Sequence, residues 1–159
     1  MAEESKHDLS ITRVVDAPLE RVWQAWTDPD ELQKWWGPRG VTNPTCEWEA
    51  RPGGKMNVVM LAGESLGELK GQEWPMTGEF KEVVPRQKLV FTSSAIMDGK
   101  PILENLCTVT LQDQDGKTKL TLQIVVTKAT PEAEGPLAGM AQGWNESIDK
   151  LTEQLEQRV

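Results

Sequence analysis

Between residues 42 and 127 apolar and polar residues tend to alternate, and turn signals interrupt the pattern at regular intervals. The turns are Arg51-Pro52-Gly53-Gly54, the stretch from Gly63 to Gly71, Pro85-Arg86-Gln87, Asp98-Gly99-Lys100-Pro101 and Asp113-Gln114-Asp115-Gly116. They divide the region into six strands, over 42–50, 54–62, 73–84, 87–96, 102–112 and 117–127. Connections this short join antiparallel neighbours, because parallel neighbours need a crossover of a dozen residues or more. In the last strand Leu120, Leu122, Ile124 and Val126 share one face, and in its neighbour Asn105, Cys107, Val109 and Leu111 do. The expectation is an antiparallel meander with one buried face.

Helical segments flank this meander. Residues 9–15 read as a first strand, and a helix is expected near Pro18, with Leu19, Val22, Trp23 and Trp26 on one face. Asp28-Pro29-Asp30-Glu31 restarts the helix, with Asp28 as N-cap and Glu31 where a capping box wants it, and this second helix ends at Trp35-Trp36-Gly37-Pro38. Pro131 opens the final segment, where Leu137, Met140, Ala141, Trp144, Ile148, Leu151 and Leu155 form one apolar stripe over about six turns. Gly139 and Gly143 lie inside that helix, each costing about 1 kcal/mol relative to alanine, which suggests close backbone approach or space left open. The whole chain, 1–159 with a core over 9–156, reads as a single α+β domain.

Composition narrows the function. The 17 Lys and Arg stand against 25 Asp and Glu, a formal net charge of −8 with no basic cluster, so no nucleic-acid or anionic-membrane surface is expected. The chain has seven Trp, two Phe, no Tyr and one His, and His7 sits in a polar N-terminal stretch. That argues against a histidine triad, a multi-histidine metal site or a tyrosine acid, and calls for no metal and no cofactor. Cys46 and Cys107 lack any C-x-x-C spacing and read as reduced thiols. With no apolar core of a signal peptide at the start, and no run long enough to span a membrane, a cytoplasmic protein is expected.

The order β, αα, six β, long α carries a resemblance. Its residues are Asp16-Ala17-Pro18 with Val22-Trp23 and Trp26, then Trp35-Trp36-Gly37-Pro38, Arg51-Pro52-Gly53-Gly54 and Gly78-Glu79-Phe80. It continues through Pro85 with Leu89-Val90-Phe91-Thr92, Thr108-Val109-Thr110-Leu111, the strand from Thr118 to Thr121, and Gly139-Met140 with Gly143-Trp144. Over residues 9–156 the chain resembles the SRPBCC, START and Bet v 1-like superfamily, and more narrowly the C-terminal domain family of the activator of the heat-shock-protein-90 ATPase. The resemblance implies a helix-grip fold: a seven-stranded antiparallel sheet wrapped around a long C-terminal helix, with two short helices after the first strand. One scaffold hosts ligand carriers, cyclases, hydrolases and co-chaperone modules, so the fold alone does not name an activity.

Within such a grip, Trp35, Trp36, Trp48 and Trp144 are expected to form an aromatic wall, joined by Phe80 and Phe91, since indole offers large contact area and one donor. At any single Trp plain core packing stands ahead of ligand contact, but four of them near one expected cavity strengthen the joint case. Met56, Met60, Met76 and Met140 fit an adaptable lining. Ser93, Asn105 and Cys107 have inward parity and would orient a ligand polar group, or be satisfied internally, whereas Glu49, Glu79, Glu82 and Glu104 read mostly as solvated. No catalytic residue is expected, because the acid and base set is thin. The loop from Gly63 to Glu73 reads equally as a lid or as a surface insertion. The expected function is binding of a small hydrophobic or aromatic molecule between sheet and C-terminal helix, by a monomer or homodimer. A chaperone-associated module in a stress response, which the resemblance implies, and a cyclase or hydrolase using the same cavity are the alternatives.

Overall fold

The computed structural model describes residues 8–97 and 99–156; His7 and Asp98 lie outside them, as do the side chains of 134–139, Leu137 among them. Seven strands form one sheet: β1 (Leu9–Val15), β2 (Val41–Trp48), β3 (Lys55–Ala62), β4 (Glu73–Val84), β5 (Lys88–Met97), β6 (Lys100–Gln114) and β7 (Lys117–Ala129). Their order is β1-β7-β6-β5-β4-β3-β2, and every neighbouring pair is antiparallel. Strands β1 and β2 follow one another in the chain yet occupy opposite edges. The connection between them carries helices α1 (Leu19–Thr27) and α2 (Pro29–Trp35), and the chain closes with α3 (Glu134–Glu156). This is the helix-grip arrangement expected, a curled sheet with a long terminal helix.

The curl has a local cause. Register shifts fall between Thr42 and Thr45 in β2, Phe80 and Glu82 in β4, Ala95 and Ile96 in β5, and Glu104 and Asn105 in β6. Each extra residue kinks its strand and increases the local twist, so bulges on successive strands bend the sheet toward α3. The β6–β7 hairpin turns on Asp115 and Gly116, both at positive φ (55° and 87°), as a two-residue type I′ turn requires.

Four details depart from the sequence reading. Pro18 is the N-cap of α1, in extended conformation, and the helix begins at Leu19. Asp28 caps α2 by accepting from the Asp30 N–H at 2.9 Å, but Glu31 does not complete a capping box. The Asp28 N–H already donates to the Gln24 carbonyl, which frees Glu31 to accept from Arg21 at 2.6 Å and from Gln154 of α3. A short 3-10 turn, Pro131–Ala133, precedes α3, which starts at Glu134. Finally Ala141, placed on the apolar stripe with Ile148 and Leu151, is exposed while those two are fully buried.

The main core lies between the concave face of the sheet and the three helices. Trp26, Trp35, Leu32, Val22 and Ala25 of the short helices meet Leu89, Val109, Leu111, Leu120 and Leu122 of the sheet and Ile148, Leu151 and Leu155 of α3. A smaller cluster of Ile102, Leu103 and Ala133, with Ala95 and Val126 against it, closes the far end of the sheet beneath the Pro131–Ala133 turn. Among the described residues no helix is long and apolar enough to cross a membrane.

Candidate functional site

The aromatic residues are brought together in one continuous chain of contacts. Trp26 meets Trp35 edge to face at 4.6 Å between ring centroids, Trp35 leads to Trp36 at 6.1 Å, and Trp36 meets both Trp48 (5.3 Å) and Trp144 (5.1 Å). Trp48 then packs on Phe80 (5.0 Å) and Phe91 (5.1 Å). Edge-to-face pairs at these distances contribute beyond their buried area. Two indoles are tied by hydrogen bonds: Trp48 Nε1 donates to the Trp26 carbonyl at 2.7 Å, and Trp35 Nε1 donates to the Ala25 carbonyl at 3.1 Å. Trp35, Trp36, Trp48, Phe80, Phe91 and Met56 are buried, whereas Trp144, Met60, Met76 and Met140 are partly exposed and pack on the edge of this cluster. Sequence parity placed Trp26 on a helix face but gave no sign that it joins the wall, because its partners Trp35 and Trp48 lie on other elements.

Along the concave face the register sorts residues into rows. One row contains Phe91 opposite Cys107 and Cys107 opposite Ile124, all part of the main core. Two residues further along, Ser93 faces Asn105 and Asn105 faces Val126. The next row, Ala95 opposite Leu103, belongs to the smaller cluster. Ser93 and Asn105 therefore sit between two apolar clusters, 1% and 5% exposed, and among the described residues neither Ser93 Oγ nor Asn105 Oδ1 has a hydrogen-bond partner. An unpaired buried polar atom costs about 1–3 kcal/mol, so two such atoms side by side call for an explanation. They contrast with Asn43, whose Nδ2 donates to the Gln33 and Trp36 carbonyls and pins the end of α2, although its Oδ1 is also unpaired.

Small residues surround this row. Gly78 lies opposite Met56, and a Cβ there would come within 1.9 Å of the Thr92 carbonyl oxygen, so only glycine lets β4 approach β5 this closely. Ala95 stands on the other side. On α3, a Cβ added at Gly143 would meet nothing within 4 Å, and Ala141 is exposed. At residues 141 and 143 α3 thus borders open space, while Ile148, Leu151 and Leu155 further along it are buried. Gly139 and the other residues of 134–139 have no described side chains, so the suggestion of open space is met at Gly143.

Two concavities lie on the surface. One, of about 410 Å3, is bounded by Pro38 and Arg39, by Ser65 and Leu66, and by Gln142, Gly143 and Glu146 of α3. The other, of about 310 Å3, is lined by Met97, Lys100, Pro101, Ile102, Thr130 and Glu132. None of the residues expected to line a pocket borders either one. The stretch from Gly63 to Glu73 forms the rim of the first. It contains a 3-10 segment, Glu64–Leu69, broken at Gly67 (φ 58°), with no buried residue, and it is held by the Gly63 N–H to the Gly40 carbonyl at 2.8 Å.

Charge is confined to the rim. From β3 to β7 the buried inward-facing residues are uncharged, Asp113 at the β6–β7 turn being exposed, and the one charged inward position in β1, Arg13, is paired with Asp149 of α3 at 2.8 Å. Glu49, Glu79 and Glu82 are exposed, in keeping with their reading as solvated, and Glu104 is half-buried. At the first concavity Arg39 pairs with Glu153 through both terminal nitrogens, and its backbone N–H donates to Glu146. Burial, with Arg39 nearby, holds the Lys150 ammonium below its usual range, and Lys150 donates to the Pro38 carbonyl. Cys46 and Cys107 are both free; burial pushes the Cys46 thiol up to about 11, with Asp30 adding to it, and the Cys107 thiol up to about 12.

This architecture can be set beside known proteins. The family model described as activator of Hsp90 ATPase homolog 1-like protein matches residues 16–156. The chain belongs to this family. Among solved structures similar to this activator-like chain is protein CV1439 from Chromobacterium violaceum, 28% identical with a TM-score of 0.82, covering 97% of this chain and 100% of that one. Protein NE0264 from Nitrosomonas europaea is 28% identical with a TM-score of 0.75, over 96% of this chain and 97% of that one. The AHSA1 protein SPO3351 from Silicibacter pomeroyi is 25% identical with a TM-score of 0.76, over 94% and 97%. No curated protein matches the chain. Family membership and the curled sheet agree with a ligand-binding architecture without naming a ligand.

Proposed function

We propose that the protein binds a small apolar or aromatic molecule between the concave face of the sheet and the first half of α3. The observation that carries this reading is the pair Ser93 Oγ and Asn105 Oδ1, buried, facing inward from adjacent strands and without partners among the described residues. Ligand sites are mostly apolar with a few convergent polar groups, and this row fits that pattern. In this reading Trp36, Trp48, Phe80, Phe91 and Cys107 form one wall, Met60, Met76, Met140 and Trp144 adapt around the occupant, and the concavity at Gly143 is the mouth. Binding is favoured over conversion: a Cys107 thiol pushed up to about 12 is neither nucleophile nor base at neutral pH.

Native mass spectrometry of freshly purified protein tests the proposal. A retained small molecule, together with a saturable change in tryptophan fluorescence on titration with flat aromatic ligands, is expected. Neither a retained molecule nor a saturable response across a broad aromatic and lipid panel would remove the reading. The family description supports a second role, activation of a 90-kDa chaperone ATPase. A pull-down with that chaperone showing no enrichment, and no change in its ATPase rate, would discard it.

A further inference from the structure

The two unpaired atoms define the chemistry of the occupant more closely, on the reading that the concave face is a binding site. We infer that the ligand is an uncharged molecule bearing a hydroxyl group on an apolar ring or chain, with that hydroxyl seated between Asn105 and Ser93, and that carboxylates are refused. Ser93 and Asn105 are direct partners across the β5–β6 ladder, where Cβ atoms lie about 4.5–5.5 Å apart, so one small group reaches both. Asn105 Oδ1 can only accept, and the serine hydroxyl can donate. A ligand hydroxyl does both at once: it donates to Asn105 Oδ1 and accepts from Ser93 Oγ. A bare hydrocarbon would leave both atoms unpaired, and a carboxylate would bring two acceptors and a charge.

The charge has nothing to meet inside. Buried inward-facing positions from β3 to β7 are uncharged, and Arg13 at the β1 edge is already paired with Asp149. Moving a carboxylate into such surroundings is costly unless it takes up a proton. The mouth does not help, because Arg39 is held by Glu153, Lys150 is held by the Pro38 carbonyl, and the charges of Glu146 and Glu153 balance these two cations. An anion is therefore disfavoured inside and gains no net attraction at the rim.

Three probes of one ring system separate the possibilities: naphthalene, 2-naphthol and 2-naphthoate, compared by equilibrium dialysis at neutral pH. The wild-type protein is expected to bind 2-naphthol about tenfold more tightly than naphthalene, the scale of one good hydrogen bond to otherwise unpaired groups, with 2-naphthoate weakest. Asn105→Leu is expected to abolish the advantage of 2-naphthol while retaining naphthalene, and Ser93→Ala to reduce it severalfold. The wild-type series decides the matter even where a variant fails to fold. Equal binding of naphthalene and 2-naphthol, or 2-naphthoate binding as well as 2-naphthol, overturns the inference and leaves the binding site standing. Binding of none of the three overturns the inference, and the broader panel with native mass spectrometry then decides the binding site.

Discussion

The two halves of the concave face are built from the same strands and covered by the same helix, yet they end differently. On one side Leu89, Val109, Leu111, Leu120 and Leu122 meet Trp26, Trp35, Ile148 and Leu151, all fully or almost fully buried. On the other, Gly78, Ser93, Ala95 and Asn105 offer only small or polar side chains, and on α3 Ala141 is exposed and Gly143 borders open space. Helices α1 and α2 and the end of α3 converge on the first half, whereas beyond the second the Pro131–Ala133 turn closes the smaller cluster. The difference teaches that the fold is stabilised in one place and left unfinished in another. Side-chain volume completes the first half, where Trp26 Nε1 and Asn43 Oδ1 are isolated unpaired atoms; in the second, Ser93 Oγ and Asn105 Oδ1 are unpaired side by side among the described residues.

The sharpest way to break this comparison is to hollow out the packed half. Trp48→Ala removes contacts with Trp36, Phe80 and Phe91 and leaves the Trp26 carbonyl without its donor, and it is expected to cost about 3–5 kcal/mol in urea denaturation. A loss below about 1 kcal/mol would mean that the aromatic chain is not the core described here. Next in size comes alkali. The folded state holds the Cys107 proton up to about pH 12, while the unfolded thiol releases it near its ordinary value of 9.0. Above that value the unfolded state binds fewer protons, so stability falls as pH rises, by about 1 kcal/mol between pH 9 and 10 from this group. Cys107→Val should lack that increment while Cys46 contributes equally to both proteins; identical alkaline slopes would show that Cys107 is not sealed.

In the unfinished half the expected sign reverses. Ser93→Ala removes an unpaired buried hydroxyl and should raise stability by about 1 kcal/mol in the ligand-free protein, against the usual direction of a core substitution. A loss of similar size would reveal a partner for the hydroxyl. Smallest of all, Gly143→Ala places a methyl group in open space within a helix and should stabilise by a few tenths to about 1 kcal/mol by thermal melting. Destabilisation there would mean that the space beside α3 is filled.

Much of the packed half was legible in the sequence. Parity along the last two strands placed Val109, Leu111, Leu120 and Leu122 inward correctly, because a period of two leaves no other face for them. The same parity turned Ser93 and Asn105 inward. What it could not supply was which inward residues meet, since register depends on bulges such as that between Glu104 and Asn105, and a bulge has no sequence signature. The stripe on α3 was read as continuous for a related reason. Periodicity reports which face a helix turns toward the sheet, but the distance between helix and sheet is set by the volume of side chains on both, and at Ala141 that volume is small. Glu31 shows a third limit: its position in a capping motif was correct, but Arg21 at 2.6 Å outcompeted the backbone for its carboxylate.

The placement of β1 and β2 at opposite edges has a consequence for how the molecule assembles. Strands β2 to β7 form by successive hairpins, each between segments adjacent in the chain, and such local pairings close early because little chain entropy is lost. Strand β1 can join only when β7 exists, since Leu9 pairs with Ile124 and Val15 with Thr118. During synthesis the first strand and the tryptophans of α1 and α2 leave the ribosome before most of the sheet they will rest on. A segment made before the sheet is thus docked near the end, and until then its indoles are exposed surface in need of protection.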